Sequence, residues 1–113
     1  MFSSPSYSAA TIRYLCIYPT WSDDDGTHKT KKEYKLEFIE DTISKKAVLV
    51  GNLGFSNVFI IKGVGAVSFI EITDSGNVLT TTVTEKGVSV HSRNSVLLGK
   101  LIPSQYYGTC KIT

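Results

Sequence analysis

The stretch Glu33-Tyr34-Lys35-Leu36-Glu37-Phe38-Ile39-Glu40-Asp41 (EYKLEFIED) decides the fold. Read with a period of two, it puts Tyr34, Leu36 and Phe38 inward and Glu33, Lys35, Glu37 and then Glu40 outward. Read with a helical period, Tyr34, Phe38 and Asp41 share a face from Lys31 to Ser44, while Leu36 and Ile39 fall off it. The strand reading accounts for more of the apolar residues, and one wet face beside one dry face is the mark of an antiparallel sheet. A single helical turn in this region is the competing expectation.

On either side of this stretch the same grammar repeats. Toward the N-terminus, Thr11 to Tyr18 places Ile12, Tyr14, Cys16 and Tyr18 on one face, and Pro19, lacking an N–H, is expected to end it. The polar run Ser22 to Lys32 reads as an exposed loop. Toward the C-terminus come Ala47–Gly51, Asn57–Lys62, Ala66–Thr73, Val78–Thr84, Val88–Ser92, Ser95–Leu101 and Gln105–Ile112, with a tight turn at Asp74-Ser75-Gly76-Asn77. Short β-branched or aromatic runs joined by turns predict an all-β antiparallel meander of about eight or nine strands closing into a small barrel, with a sandwich as the alternative. Most of Tyr14, Phe38, Phe59 and Phe69 are expected in its core.

The chain has 113 residues, enough for one domain, here placed at 11–113 behind an extended or disordered segment at 1–10. Twelve Lys plus Arg against ten Asp plus Glu leave a net charge of +2, too mild to argue for nucleic acid or a membrane surface. No apolar run is long enough for a spanning helix. The start lacks the basic and apolar regions of a signal peptide, so the protein is either intracellular or has lost a leader.

The two cysteines bear on that choice. Cys16 and Cys110 lie in the first and last β-rich runs, and a meander that closes would set them side by side. A disulfide between them would exclude many unfolded conformations and implies an exported protein. Two reduced core cysteines in a cytosolic protein are the alternative.

No catalytic pattern is present. His91 and Ser92 are adjacent on a predicted strand and therefore face opposite sides, which prevents a nucleophile–base pair. Asp23, Asp24 and Asp25 are consecutive, unlike the alternating ligands of a calcium loop, and neither cysteine sits in a zinc-type pair. Gly63-x-Gly65 precedes a strand where a phosphate cradle needs a helix, so no cofactor or metal is expected. His91 is read as a polar residue at a surface bend, yet it shares a face with Arg93, an arrangement suited to an anionic partner group. Tyr106 and Tyr107 must face opposite sides of their strand, so one is exposed and, with Trp21 beside Arg93 and Lys100, offers a recognition surface.

Tyr14-x-Cys16 near the start and Gly108-Thr109-Cys110 near the end resemble small exported bacterial β-domains whose terminal strands are joined by a disulfide. Among these the chain is similar to the periplasmic inhibitors of c-type lysozyme, eight-stranded barrels with a Ser-Gly-x-x-Tyr loop and a downstream Lys-Gly. Ser75-Gly76 and Lys86-Gly87 match those dipeptides, with Leu79 where the loop tyrosine stands. The resemblance implies that Ser75 and Lys86 enter a lysozyme cleft. The expectation from the whole chain is a periplasmic or secreted, non-enzymatic binding domain for an unknown protein or small molecule. An inhibitor of a secreted hydrolase and a calycin-like carrier are the alternatives, the last requiring a cavity beside Leu49, Phe59 and Phe69.

Overall fold

A computed structural model describes residues 10–51 and 54–113. Of the expected N-terminal segment only Ala10 falls within them. Among the described residues there are eight strands: β1 (Thr11–Asp23), β2 (Gly26–Asp41), β3 (Lys46–Gly51), β4 (Gly54–Gly63), β5 (Ala66–Ile72), β6 (Val78–Thr84), β7 (Val88–Leu97) and β8 (Lys100–Ile112). Each pairs antiparallel with its neighbour in sequence, and β1 pairs with β8, closing the barrel. The turns β1–β2, β3–β4, β5–β6 and β7–β8 therefore lie at one end, called upper here, and the other three turns lie at the lower end.

The expected ninth strand, Ser95–Leu101, is the two arms of the β7–β8 hairpin folded about Leu98-Gly99. Both turn residues have positive φ (52° and 77°), as a two-residue hairpin turn of this hand requires. The expected loop Ser22–Lys32 is also largely strand, because β1 and β2 continue upward to a tight turn at Asp24-Asp25. These two hairpins form an arm beyond the barrel mouth, and the molecule is 57 Å long against 29 and 28 Å across.

Closure rests on a tight seam. Ile17 pairs with Thr109 and Thr20 with Tyr107, so Tyr18 and Pro19 together face Gly108. This is a β-bulge, which tolerates the missing N–H of Pro19. A Cβ on Gly108 would overlap the carbonyl oxygen of Ile17, so the strands approach only because residue 108 has no side chain. Cys16 and Cys110 are directly opposite and form a disulfide across 94 residues. Cys110 N–H turns away to the Gly87 carbonyl at 2.7 Å. The cysteines are thus a non-hydrogen-bonded pair, the closer kind, and their Cα atoms lie only 3.9 Å apart. At the lower end Arg13 and Thr113 exchange backbone hydrogen bonds of 3.0 Å in both directions.

The barrel interior is filled. Phe38 and Phe69 stack at 4.2 Å between centroids, Tyr14 meets Phe69 edge-on at 5.0 Å, and Ala47, Val58, Val67 and Val83 close around them. Phe59, expected inside, is 63% exposed, because the inward positions of β4 are Val58, Ile60 and Lys62. Glu40, expected outward, is only 3% exposed. The period of two continues unbroken from Tyr34 to the end of β2 and carries Glu40 inward with Phe38. Its carboxylate accepts from Tyr14 Oη at 2.8 Å and is straddled by Lys62 Nζ at 2.8 and 2.7 Å. A buried charge is tolerable when paired and hydrogen-bonded in this way.

The seam makes a direct prediction. Replacing both cysteines by alanine should lower stability by about 2–5 kcal/mol in denaturant unfolding. Gly108→Ala should disrupt β1–β8 pairing with the disulfide still present, and an unchanged unfolding midpoint for that variant would contradict the close approach described.

Candidate functional site

The bulge at Pro19 does more than close the seam. On β2, Tyr18 pairs with Tyr34 but Thr20 pairs with Lys29, so Thr30–Glu33 bulge outward, and Thr30 Oγ1 donates to the Tyr18 and Pro19 carbonyls at 3.2 Å. Beyond it the alternation of β1 reverses. Trp21 then shares the inner face with Tyr18, and so does His28 opposite it. One lateral row of side chains accordingly runs Phe69, Thr81, His91, Tyr106, Trp21, His28, from the packed core out into the arm.

The row is aromatic throughout its upper part. Tyr34 stacks on Tyr106 at 4.6 Å, Trp21 on Tyr106 at 5.9 Å, and Trp21 meets His28 at 4.5 Å. Tyr18 and Tyr34 approach the His91 ring at 6.1 and 6.0 Å. Burial pushes the Tyr18 phenol up to about 12 against the opposing effect of its 2.8 Å hydrogen bond with Ser89. Tyr34 is likewise raised by burial, partly offset by the Arg93 charge.

His91, expected at a surface bend, is 2% exposed, because β7 continues straight past it to Leu97. Nδ1 lies 2.7 Å from Thr81 Oγ1, whereas Nε2 has no hydrogen-bond partner among the described residues. Leaving a bare lone pair there costs less than burying an unmet N–H, so the proton belongs on Nδ1. Burial first, and the charge of Arg93 second, push the imidazole down to about 4. His91 is neutral at pH 7.

Arg93, two residues on, reaches the open mouth. Its Nε is buried without a partner, and no carboxylate among the described residues lies within 4 Å of its guanidinium. Glu71 stands on the same inner row two strands away, beyond Leu79. Above Arg93 is a cleft of about 530 Å³ whose polar and aromatic lining is Trp21, Asp23, Ser75, Asn77, Ser95 and Tyr106. Asn77 Oδ1 accepts from Val96 N–H at 3.1 Å and so ties the β5–β6 turn to the arm, while Asn77 Nδ2 donates to Ser75 Oγ at 3.2 Å.

Four of the six expected binding residues therefore meet: Ser75, Arg93 and Tyr106 line the cleft and His91 lies beneath it. Tyr107 faces outward and shares hydrogen bonds with Ser22 and Gln105 at 2.9 and 3.0 Å. Lys86 sits in the β6–β7 turn at the lower end, a strand's length from Ser75, so one cleft would engage only one of them. The sequence places Tyr34 inward and Asn77 in a turn but assigns neither of them, nor His28, to a binding site, and reversal of alternation at the bulge is why no fixed period finds His28. No protein family, curated protein or solved structure matches this chain.

The acidic turn gives the cleft one carboxylate, Asp23. The Asp23, Asp24 and Asp25 carboxylates lie within 4.8 Å of one another, but Asp23 Oδ1 accepts from the Asp25 N–H at 2.9 Å and lies 3.0 Å from His28 Nε2. This is a self-capped turn.

The depressed His91 value fixes the sign of a pH effect. The unfolded chain takes up this proton near pH 6.5 and the folded chain near 4, so stability is unpenalised above 6.5 and falls as pH drops toward 4, by roughly 3 kcal/mol in full. Asp23 and Asp41, held below the usual carboxylate value by His28 and by turn amides respectively, lose their contribution only below about pH 4. Urea unfolding between pH 4 and 7 should show the slope, and His91→Gln should flatten it.

Proposed function

We propose that this protein is a small exported binding domain without chemistry of its own, and that it receives an anionic group of its partner in the cleft beneath the arm. The observation that carries this reading is Arg93. A guanidinium with a buried Nε that has no partner among the described residues, no carboxylate among them within 4 Å and stacked aromatic rings alongside is a half-made site, and an anion would complete it. Ser75 and Asn77 supply polar groups at the rim, and Trp21 and Tyr106 supply flat apolar surface. Export is supported by the disulfide, which persists in oxidising compartments.

The arm favours a second reading, a hydrolase inhibitor. The β7–β8 hairpin carries Val96, Leu97, Leu98, Leu101 and Ile102 exposed near its tip, Leu98 at 99%, and a projecting apolar ribbon is a shape that enters clefts. An activity assay with a c-type lysozyme separates the readings, since inhibition abolished by Leu98→Asp would favour the arm over Arg93.

For the first reading, ¹⁵N-labelled protein titrated with benzoate and indole-3-carboxylate should show saturable shifts confined to residues around Arg93, Ser75, Asn77 and Tyr106. Arg93→Gln should weaken binding about tenfold or more. Shifts scattered over the surface, or insensitive to Arg93→Gln, would sink the anion site.

A further inference from the structure

The barrel is closed in topology, but among the described residues its wall is not fully paired. The β3–β4 ladder ends at Ala47↔Val58, whereas β4 continues to Gly63 and remains paired with β5 from Phe59 onward. Gly63↔Ala66 closes a two-residue turn and is therefore a hydrogen-bonded pair, so Ile61 and Phe59 also bond toward β5. The N–H and C=O groups of Ile60 and Lys62 consequently point the other way, where β3 has already ended. Unpaired ladder groups in a row are a template for another strand.

The surroundings of this edge are those of a groove. A depression of about 740 Å³ lies along it, lined on the strand side by Phe59, Ile60, Ile61 and Ile70 and on the other rim by Lys45 and Lys46. Phe59 and Ile61 are exposed on the outer face. Neither Lys45 nor Lys46 has an acidic partner within 4 Å among the described residues, in contrast to Lys62, which Glu40 holds.

We propose that the lower half of β4 is a docking edge for an extended segment of a partner protein, apolar at alternate positions and acidic at its ends. The backbone of Ile60 and Lys62 would supply the ladder, Phe59 and Ile61 would pack on outward apolar side chains of the segment, and Lys45 and Lys46 would meet its acids. A second copy of this chain fits worse. Two β4 edges brought together would also bring together Lys45 and Lys46 of both copies, a clustering of like charge. This edge is on the side wall at the lower end, away from the Arg93 cleft, and its test is independent of that site.

The probe is a capped hexapeptide alternating valine and threonine with glutamate at both ends, against the same peptide with lysine ends and one with a central proline. Saturable binding of the glutamate peptide below about 1 mM, with the Ile60 and Lys62 amides exchanging about tenfold more slowly, is the expected result. The double variant Lys45→Glu, Lys46→Glu leaves the barrel core untouched and should reverse the preference toward the lysine peptide. Absence of saturable binding, equal binding of all three peptides, or protection of these amides by protein self-association alone would each overturn the proposal.

Discussion

Everything in this molecule depends on how closely β1 and β8 approach. A meander of eight hydrogen-bonded neighbours becomes a barrel only when its first and last members meet, and here they meet over a glycine. Gly108 leaves room for the Ile17 carbonyl, the bulge at Tyr18-Pro19 absorbs the mismatch, and the disulfide next to it fixes the register. The same bulge reverses the alternation of β1, and that reversal turns Trp21 and His28 inward along the arm. The clasp and the aromatic cleft are two results of one local irregularity.

The two ends of the barrel handle buried polar groups differently. At the lower end Glu40, Tyr14 and Lys62 form a closed set in which each charge has its partner, and Tyr14, raised by burial and by the adjacent carboxylate, remains a hydrogen-bond donor. Such a set specifies packing. At the upper end His91 is held neutral by burial, and Arg93 remains charged beside it with an unmet N–H. Complete networks rigidify, whereas incomplete ones retain capacity for a ligand, and that capacity lies at Arg93 and not at Glu40.

Much of the fold was legible because strand signals are local. The alternation in Glu33–Asp41, the turn at Asp74–Asn77 and the pairing of Cys16 with Cys110 all follow from period and placement. Charge points Glu40 outward where period points it inward, and the partners that make burial tolerable lie 22 and 26 residues away in sequence. Phe59 was assigned by hydrophobicity alone, although β4 presents Val58 and Ile60 to the core and so must present Phe59 outside. The arm was hidden because polar residues such as Thr27, Lys29 and Thr30 read as loop, while a hairpin beyond the barrel mouth needs no buried face to be strand. The joining of Ser75, Arg93 and Tyr106 depends on the stagger between strands, which no single stretch of sequence encodes.

The reciprocal hydrogen bonds between Arg13 and Thr113 have a consequence for the topology itself. Apart from the seam, every pairing in the barrel is between consecutive strands, and the seam leaves the start of β1 and the end of β8 side by side at the lower rim. The order of strands around the barrel is then a ring, and the point at which the polypeptide starts is a covalent accident of that ring. A short linker from Thr113 to Thr11, with the backbone opened instead at Glu85-Lys86, would produce a circular permutant with the same wall, the same clasp and both chain ends still at the lower rim, leaving the upper mouth unobstructed.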